Sequence, residues 1–537
     1  MVGLQKTGFD YVIVGAGTAG CTLAGRLTEN SNATVCLLEA GPSDGSLTLR
    51  IPALGFLSNR GDTYLTRDAS EPDPGLNNRS VPWVHGRVLG GGSSVNGMIY
   101  MRGHSSEYDA WNCEGWRFKD VLPMFLKAEC SDRAPSPWHG TSGPVSVTKG
   151  SSALPICDAF LAALSAAGYP ILDDLNADAP AGFGHYDHAI GSGKRSSMAN
   201  AYLRPATKHP CLTVLTGATA LCVRFSGNHR ASSVDVLHDG RTVSIEADQE
   251  VILCGGAINT PHLLMLSGVG PAEQLRENGV AVVASAPQVG RNLQNHVRYA
   301  MQFTCEAPIT AYQWRRPYNA VKGVAQYAFS RRGFLGRTIL STGGGFSTDA
   351  AKPIADVKVS LFNALMETGS GRFGTLPRRD GFSVVVHQGS PRSRGEIRLR
   401  SGNPLDRPLI RPGIFSEPED LAVLQRGVSQ MRAAMARKEM TRYGVREILP
   451  RSEIQTDAAL TADIRDKAAN IFHDAGSCRM GSDDASVVDE TLRVRGVSGL
   501  RVADASVIPT LMNANTNAPV NMIAEKAANL IRSEAGF

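Results

Sequence analysis

The run from Asp10 to Gly41, D-Y-V-I-V-G-A-G-T-A-G-C-T-L-A-G-R-L-T-E-N-S-N-A-T-V-C-L-L-E-A-G, constrains this chain more than any other stretch. Tyr11 to Val14 form a short continuous apolar run, as expected of a parallel strand covered on both faces. Gly15, Gly17 and Gly20 follow in the spacing G-x-G-x-x-G. Ala19, Leu23, Ala24 and Leu27 then recur at helical spacing, and Asn30 closes the segment. Val35 to Leu38 make a second apolar strand that ends on Glu39. The order predicts a complete βαβ unit. Gly15 permits the tight turn, Gly17 lets backbone approach a pyrophosphate, and Gly20 lets helix pack close to strand. The helix N-terminus offers unpaired N–H groups to phosphate. Glu39 is placed to accept hydrogen bonds from a ribose with a free 2′-OH, which argues against NADP. The unit by itself leaves NAD and FAD both open.

At 537 residues the chain is long enough for two or more domains. Its formal charge of +5 is small for that length, and its basic residues are scattered. Nucleic-acid binding is therefore not expected. No apolar run reaches the ~18 residues needed to span a bilayer. The ten cysteines form no C-x-x-C pair. Cys21, Cys36 and Cys254 fall within predicted core elements, as small apolar residues of a reducing compartment. The first strand begins directly after a short polar start, which leaves no room for a signal peptide. A cytoplasmic protein is expected.

A long irregular stretch rich in Pro, Gly and Asp leads to H-G-R-V-L-G-G-G-S-S-V-N-G-M-I-Y-M-R-G, His85 to Gly103. Gly90 to Gly92 provide backbone freedom and an anion nest, and Ser93 or Ser94 is expected to cap a helix. A second dinucleotide-contacting loop is not something a nicotinamide dehydrogenase needs. This segment resembles the first signature of the glucose-methanol-choline (GMC) oxidoreductases, which are FAD-dependent. The second signature resembles G-G-A-I-N-T-P-H-L-L-M-L-S-G-V-G-P, Gly255 to Pro271. Further matching segments are W-H-G-T-S-G-P at 138, V-G-R-N-L-Q-N-H at 289 and H-D-A-G-S-C-R-M-G at 473. V-A-D-A-S-V-I-P at 502 and N-T-N-A-P-V-N-M-I-A-E-K-A-A at 515 complete the set.

The resemblance implies an α/β fold with a Rossmann-like FAD-binding domain and an inserted antiparallel-sheet substrate domain. Residues 1–150, 212–300 and 465–537 are expected to build the first, and 151–211 and 301–464 the second. Residues 212 to 254 read as an antiparallel meander, with turns at Gly227-Asn228 and Asp239-Gly240, returning to a buried strand. Residues about 355 to 400 again read as strands. Residues about 417 to 437 read as an amphipathic helix.

Oxidising an alcohol needs a base for the hydroxyl proton and a hydride acceptor. Neutral His suits the first task. By resemblance His473 occupies the position of the family's base and flavin N5 accepts the hydride. The matching second residue is Asn517, forty-four residues on, whose amide can hold the substrate oxygen. Asn515 is the alternative for that role. The FAD contacts carried over are Gly15, Gly17, Thr18, Ala19 and Gly20 at the pyrophosphate, and Glu39 at the ribose. Val88, Gly92, Asn96, Gly97 and Met98 are expected along the pyrophosphate and flavin. Val223 is expected at adenine through its backbone, Asp504 and Ala505 near the ribityl and phosphate, and Ala518 and Pro519 near the ring. No metal is expected.

His85 and His139 are assigned to FAD-loop motifs and His262 to packing. Asn295 stands where the family commonly has Asp. Val95 has no nucleophile for a covalent flavin link, so noncovalent FAD is expected. Residues Glu306 to Ser347 are expected to cover the active site, with Tyr312, Trp314, Tyr318 and Phe334 in that lid and Gly343 to Gly345 as a bend. The predicted activity is oxidation of a primary alcohol, with oxygen or another acceptor taking the electrons. The substrate choice stays open among pyridoxine-type, furan, benzyl, sugar, polyether and choline-type alcohols. The alternative is a lyase or decarboxylase on the same fold. The absence of Cys between Cys305 and Cys478 counts against the decarboxylase.

Overall fold

The computed structural model describes residues 7–58, 61–179, 181–349, 351–352, 354–366 and 379–536. Strand β1 (Gly8–Val14), helix α1 (Thr18–Thr28) and strand β2 (Val35–Glu39) follow in the expected order. β1 and β2 are parallel, with Tyr11 opposite Val35 and Val14 opposite Leu38. Every residue of β2 is buried, which is why its sequence is continuously apolar. A Cβ on Gly20 would stand 1.9 Å from the Gly15 carbonyl oxygen, so helix and strand approach only through glycine there.

Strands Thr219–Ser226, Arg230–His238 and β3 (Arg241–Leu253) form the antiparallel meander. β3 is long enough to change partners. Arg241 to Glu246 face the meander, and Glu250 to Leu253 lie parallel beside β1. The strand Leu212–Thr216 departs from expectation: it joins the far edge of the sheet, parallel to β2. Five residues of strand carry no mark of direction. Leu500–Val502 pairs with the end of β3. Helix α2 (Gly256–Leu266) follows β3 directly.

A second sheet runs, in space, Arg446–Leu449, Val297–Thr304, Gly381–Gln388, Val357–Phe362, Thr342–Phe346 and Gly182–His185. All neighbours are antiparallel. We label Val297–Thr304 β4. Helix α3 (Pro317–Ser330) lies in the lid region, and Val357–Phe362 and Gly381–Gln388 are β5 and β6. The expected helix at about 417 to 437 is Pro418–Met435. It sets Gly427 against Val357 and Val386 of this sheet. Gly343 to Gly345 are not a bend but lie within a strand. Glycine is demanded there by crowding, since a Cβ on Gly344 would stand 2.1 Å from the Gly182 carbonyl oxygen.

Helix α4 (Asn517–Ala535) lies along α1. Thr18 donates to the Asn517 side-chain oxygen at 2.7 Å, Thr22 to that of Asn521 at 2.8 Å, and Arg26 to the Glu525 carboxylate. Each step advances four residues on both helices. The two therefore run in the same direction and begin side by side. All ten cysteines are free. No described helix is long and apolar enough to cross a membrane.

Candidate active site

A cavity of about 1050 Å³ lies between the two sheets. α1, α2 and α4 all start on its wall, at Gly17, Gly255 and Asn517. Neither α1 nor α4 has a side-chain cap. Their first-turn amides and aligned dipoles therefore favour an anion beside them. α2 differs: Asp504 accepts from the Gly256 N–H at 2.7 Å and from the Thr260 hydroxyl at 2.6 Å. Burial raises the Asp504 carboxyl above its ordinary range.

The loop at Gly90 to Gly92 closes on the first glycine loop. A Cβ on Gly91 would stand 2.7 Å from the Gly17 Cα, so bare backbone faces the cavity at both loops. The short helix there, Gly92–Val95, is preceded by Gly91 and has no side-chain cap. Ser93 and Ser94 instead donate to the Gly90 and Leu89 carbonyls and brace the turn. At the other end Glu39 accepts from the Ala16 and Gly41 N–H groups, at 3.0 and 2.8 Å. Burial pushes its carboxyl up to about 7 against those bonds. Two uncapped helix starts, a bare glycine cradle and a terminal acid fit a dinucleotide.

Gly15, Gly17, Thr18, Ala19 and Glu39 line this cavity, and so do Gly92, Asn96, Gly97 and Met98. Asp504, Ala505, Asn517 and His473 line it as well. Five expected contacts do not. Gly20 is spent on helix–strand packing. Val88 is fully buried, and its carbonyl accepts from Gly91 N–H at 2.7 Å, so it shapes the loop from behind. The Val223 N–H is taken by the Ser267 hydroxyl at 2.8 Å, and Ala218, Thr219 and Ala220 form the wall instead. Ala518 and Pro519 are buried on the inner face of α4, while Thr516 and Val520 reach the wall. His139 is also elsewhere: it is buried between Glu129 and Asp174, 2.9 and 2.8 Å from its ring nitrogens. His85 and His262 do line the cavity.

The second sheet brings a histidine group to the opposite wall. His473 follows Phe472, whose φ of +65° is uncommon for an aromatic residue. Asn295 grips that loop from both sides. Its carbonyl oxygen accepts from the His473 N–H at 3.0 Å, and its NH₂ donates to Asp474 at 2.7 Å. An Asp at 295 has no proton to donate when ionised and would face the Asp474 carboxylate. The amide suits this loop better.

The His473 Nδ1 is 2.9 Å from His296 Nδ1, and His296 Nε2 is 2.7 Å from the Gly389 carbonyl oxygen. A carbonyl only accepts, so His296 carries its proton on Nε2. Burial drives the His296 pKa down to about 3, so its ring is neutral and Nδ1 is an acceptor. His473 must then donate from Nδ1, which leaves Nε2 unprotonated and an acceptor. Burial, with His296, His387 and Lys358 nearby, holds His473 neutral, well below the usual histidine range. His387 stacks on His296 at 4.6 Å and lines the cavity.

The amide beside His473 is Asn515, not Asn517. Asn515 Nδ2 is 3.1 Å from His473 Nε2, and its Oδ1 accepts from Lys358 Nζ at 2.7 Å. His473 Nε2 accepts, so the Asn515 NH₂ faces it and Oδ1 is turned to the Lys358 amine, which donates. Asn517 is the first residue of α4 and turns to Thr18. Sequence reading missed His296, His387 and Lys358. The signal for Lys358 was a lone cation in the apolar strand V-K-V-S-L, all buried.

An α/β nucleotide-binding sheet, joined to an antiparallel sheet that sets a neutral histidine over the shared cavity, defines a dinucleotide-dependent oxidoreductase. The GMC oxidoreductase family models match residues 9–298 and 391–524, and the chain belongs to that family of FAD flavoproteins. It is 38% identical to mitochondrial choline dehydrogenase of Mus musculus over 98% of this chain and 90% of that protein. It is 37% identical to alcohol dehydrogenase [acceptor] of Pseudomonas putida over 97% and 95%. The crystal structure of pyridoxine 4-oxidase from Mesorbium loti superposes with a TM-score of 0.87 at 29% identity, covering 97% of this chain and 98% of that one.

Proposed function

We propose that this flavoprotein oxidises a primary alcohol to an aldehyde, with His473 as base and Asn515 as its partner. The observation that carries the reading is a neutral His473 on the cavity wall, whose unprotonated Nε2 lies 3.1 Å from the Asn515 amide nitrogen. FAD, when bound, supplies the hydride acceptor at N5. The protein's part is the proton. The hydroxyl O–H of the substrate gives its proton to His473 Nε2, and the Asn515 NH₂ donates to the oxygen as negative charge develops. His296 holds the imidazole in the tautomer that can accept. Lys358, through Asn515 Oδ1, holds the amide in the orientation that can donate.

Residues 1–150, 212–300 and 465–537 act as the FAD-binding domain and the remainder as the substrate domain. The flavin is held without a covalent link, since Val95 lines the cavity in the loop next to Gly92. Acid precipitation should leave the yellow colour in the supernatant. The names of the relatives support an alcohol as substrate, with oxygen or another acceptor taking the electrons. Anaerobic mixing with a panel of alcohols tests the reading: the flavin should bleach with at least one. His473→Ala should slow bleaching by at least about 10²-fold. Bleaching at the normal rate in that variant sinks the assigned base.

A further inference from the structure

α3 turns its apolar face toward water. Gly323 and Tyr327, four residues apart, are its buried positions. Tyr327 packs in a small cluster with Ala53 and Leu335, and its hydroxyl donates to the Gly193 carbonyl at 3.0 Å. The opposite side of the helix carries Tyr318, Val321, Ala325 and Phe329, which fall at i, i+3, i+7 and i+11 and so form one stripe. Tyr318, Val321 and Phe329 are 75%, 71% and 93% exposed, and Val324 beside them is 58% exposed. Single exposed apolar residues need no explanation. Here four of the seven large exposed apolar side chains among the described residues share one helix.

The same segment is cationic. Between Glu306 and Asp349 there is no acidic residue, while Arg315, Arg316, Lys322, Arg331, Arg332 and Arg337 all occur. These six are exposed. The whole chain has a formal charge of only +5, so its positive excess is concentrated around this helix. Pairs of arginine sit just beyond each end of the helix.

We propose that α3 docks this protein on an anionic lipid bilayer. Tyr318, Val321, Ala325 and Phe329 enter the acyl boundary, and the flanking cations meet the headgroup phosphates. A helix lying in the interface needs this combination of a lengthwise apolar stripe and basic flanks. A second copy of the chain fits this face poorly, because symmetric pairing sets six cations against six. The helix joins the turns Ala311–Arg315 and Phe334–Gly336, which both supply cavity wall. Docking therefore brings that wall to the lipid surface. The proposal does not rest on the alcohol-oxidation reading.

The test is flotation of the full-length holoprotein with phosphatidylcholine vesicles, with and without phosphatidylglycerol, at low and high salt. The protein should float with the phosphatidylglycerol vesicles at low salt and lose most of that binding at high salt. Val321→Ser with Phe329→Ser, and separately Arg331→Glu with Arg332→Glu, should each weaken binding by about tenfold or more. Retained flavin absorbance and an unchanged melting temperature confirm that each variant is folded. Failure of the unaltered protein to bind anionic vesicles overturns the proposal, and so does equal binding by both variants. Sedimentation supplies the remaining outcome. If the apolar variant converts a dimer to a monomer and no form binds vesicles, the face belongs to a second copy and the lipid assignment falls.

Discussion

Two asparagines two positions apart do different work, and the difference is one of direction. Asn515 precedes the first turn of α4 and reaches across to His473, while Asn517 begins the helix and reaches along to Thr18. Asn515→Ala should lower the anaerobic bleaching rate by about 10²-fold with flavin content unchanged. Asn517→Ala should loosen flavin with less effect on the rate in the remaining holoenzyme. The opposite pattern returns the catalytic role to Asn517. Spacing in N-T-N carries no directional information, so the choice was not legible before the fold was known. Lys358 was hidden for a related reason: its partner lies 157 residues away. Burial depresses its pKa to about 7, while Tyr186, His296, His387 and Glu107 stand around it. The unfolded lysine holds its proton up to about 10.5. Between pH 7 and 10.5 the unfolded chain therefore binds more protons at this site, and stability gains as pH rises. The melting temperature of the unaltered protein, relative to Lys358→Met, should climb across that window. A constant difference would remove the depressed amine. The same variant should lower kcat by about tenfold with little change in KM, because the amide loses the donor that holds its Oδ1.

Elements were the most legible level. β1, α1 and β2 come from a run whose apolar, glycine and helical periods agree, and a parallel strand buried on both faces has few other sequence solutions. The meander turns read at Gly227-Asn228 and Asp239-Gly240 were visible because turns have local chemistry; the first lies in the short turn Gly227–His229. Gly343 to Gly345 misled because three glycines read as freedom, whereas the strand uses them for close approach to Gly182 and Tyr186. The contact between the two glycine loops gives an element-scale prediction. Gly91→Ala would place a Cβ 2.7 Å from the Gly17 Cα, at a φ of +51°. It should push the loops apart and yield protein with little bound flavin, read from the absorbance ratio after gel filtration. Full flavin occupancy would show that the loops can part without loss. The α1–α4 pair gives another. Glu525 is wholly buried and holds Arg26 and the Tyr202 hydroxyl. Glu525→Ala should cost about 3 kcal/mol in urea unfolding, since it leaves the mostly buried Arg26 guanidinium only Glu29, which is half exposed, and takes the carboxylate from the Tyr202 hydroxyl.

For the whole molecule, the site is assembled from segments that are distant in sequence. In the proposed reading the phosphate end comes from the first forty residues and the base is His473, whose neighbours are His296, itself bonded to the Gly389 carbonyl, and the amide of Asn515. A reading by motif finds the pieces that resemble a family signature. It does not find residues that act only through one another across the second sheet. Thr18 and Asn517 are 499 residues apart, and so are Thr22 and Asn521, and Arg26 and Glu525. During synthesis α1 leaves the ribosome that far ahead of its partner. At about 5–20 residues per second the wait is roughly 25–100 s. Through that interval Thr22 and Arg26 lack their Asn521 and Glu525 partners. Until α4 has been made, the nucleotide unit therefore stands without the helix that lies along α1, and flavin capture should wait on that helix.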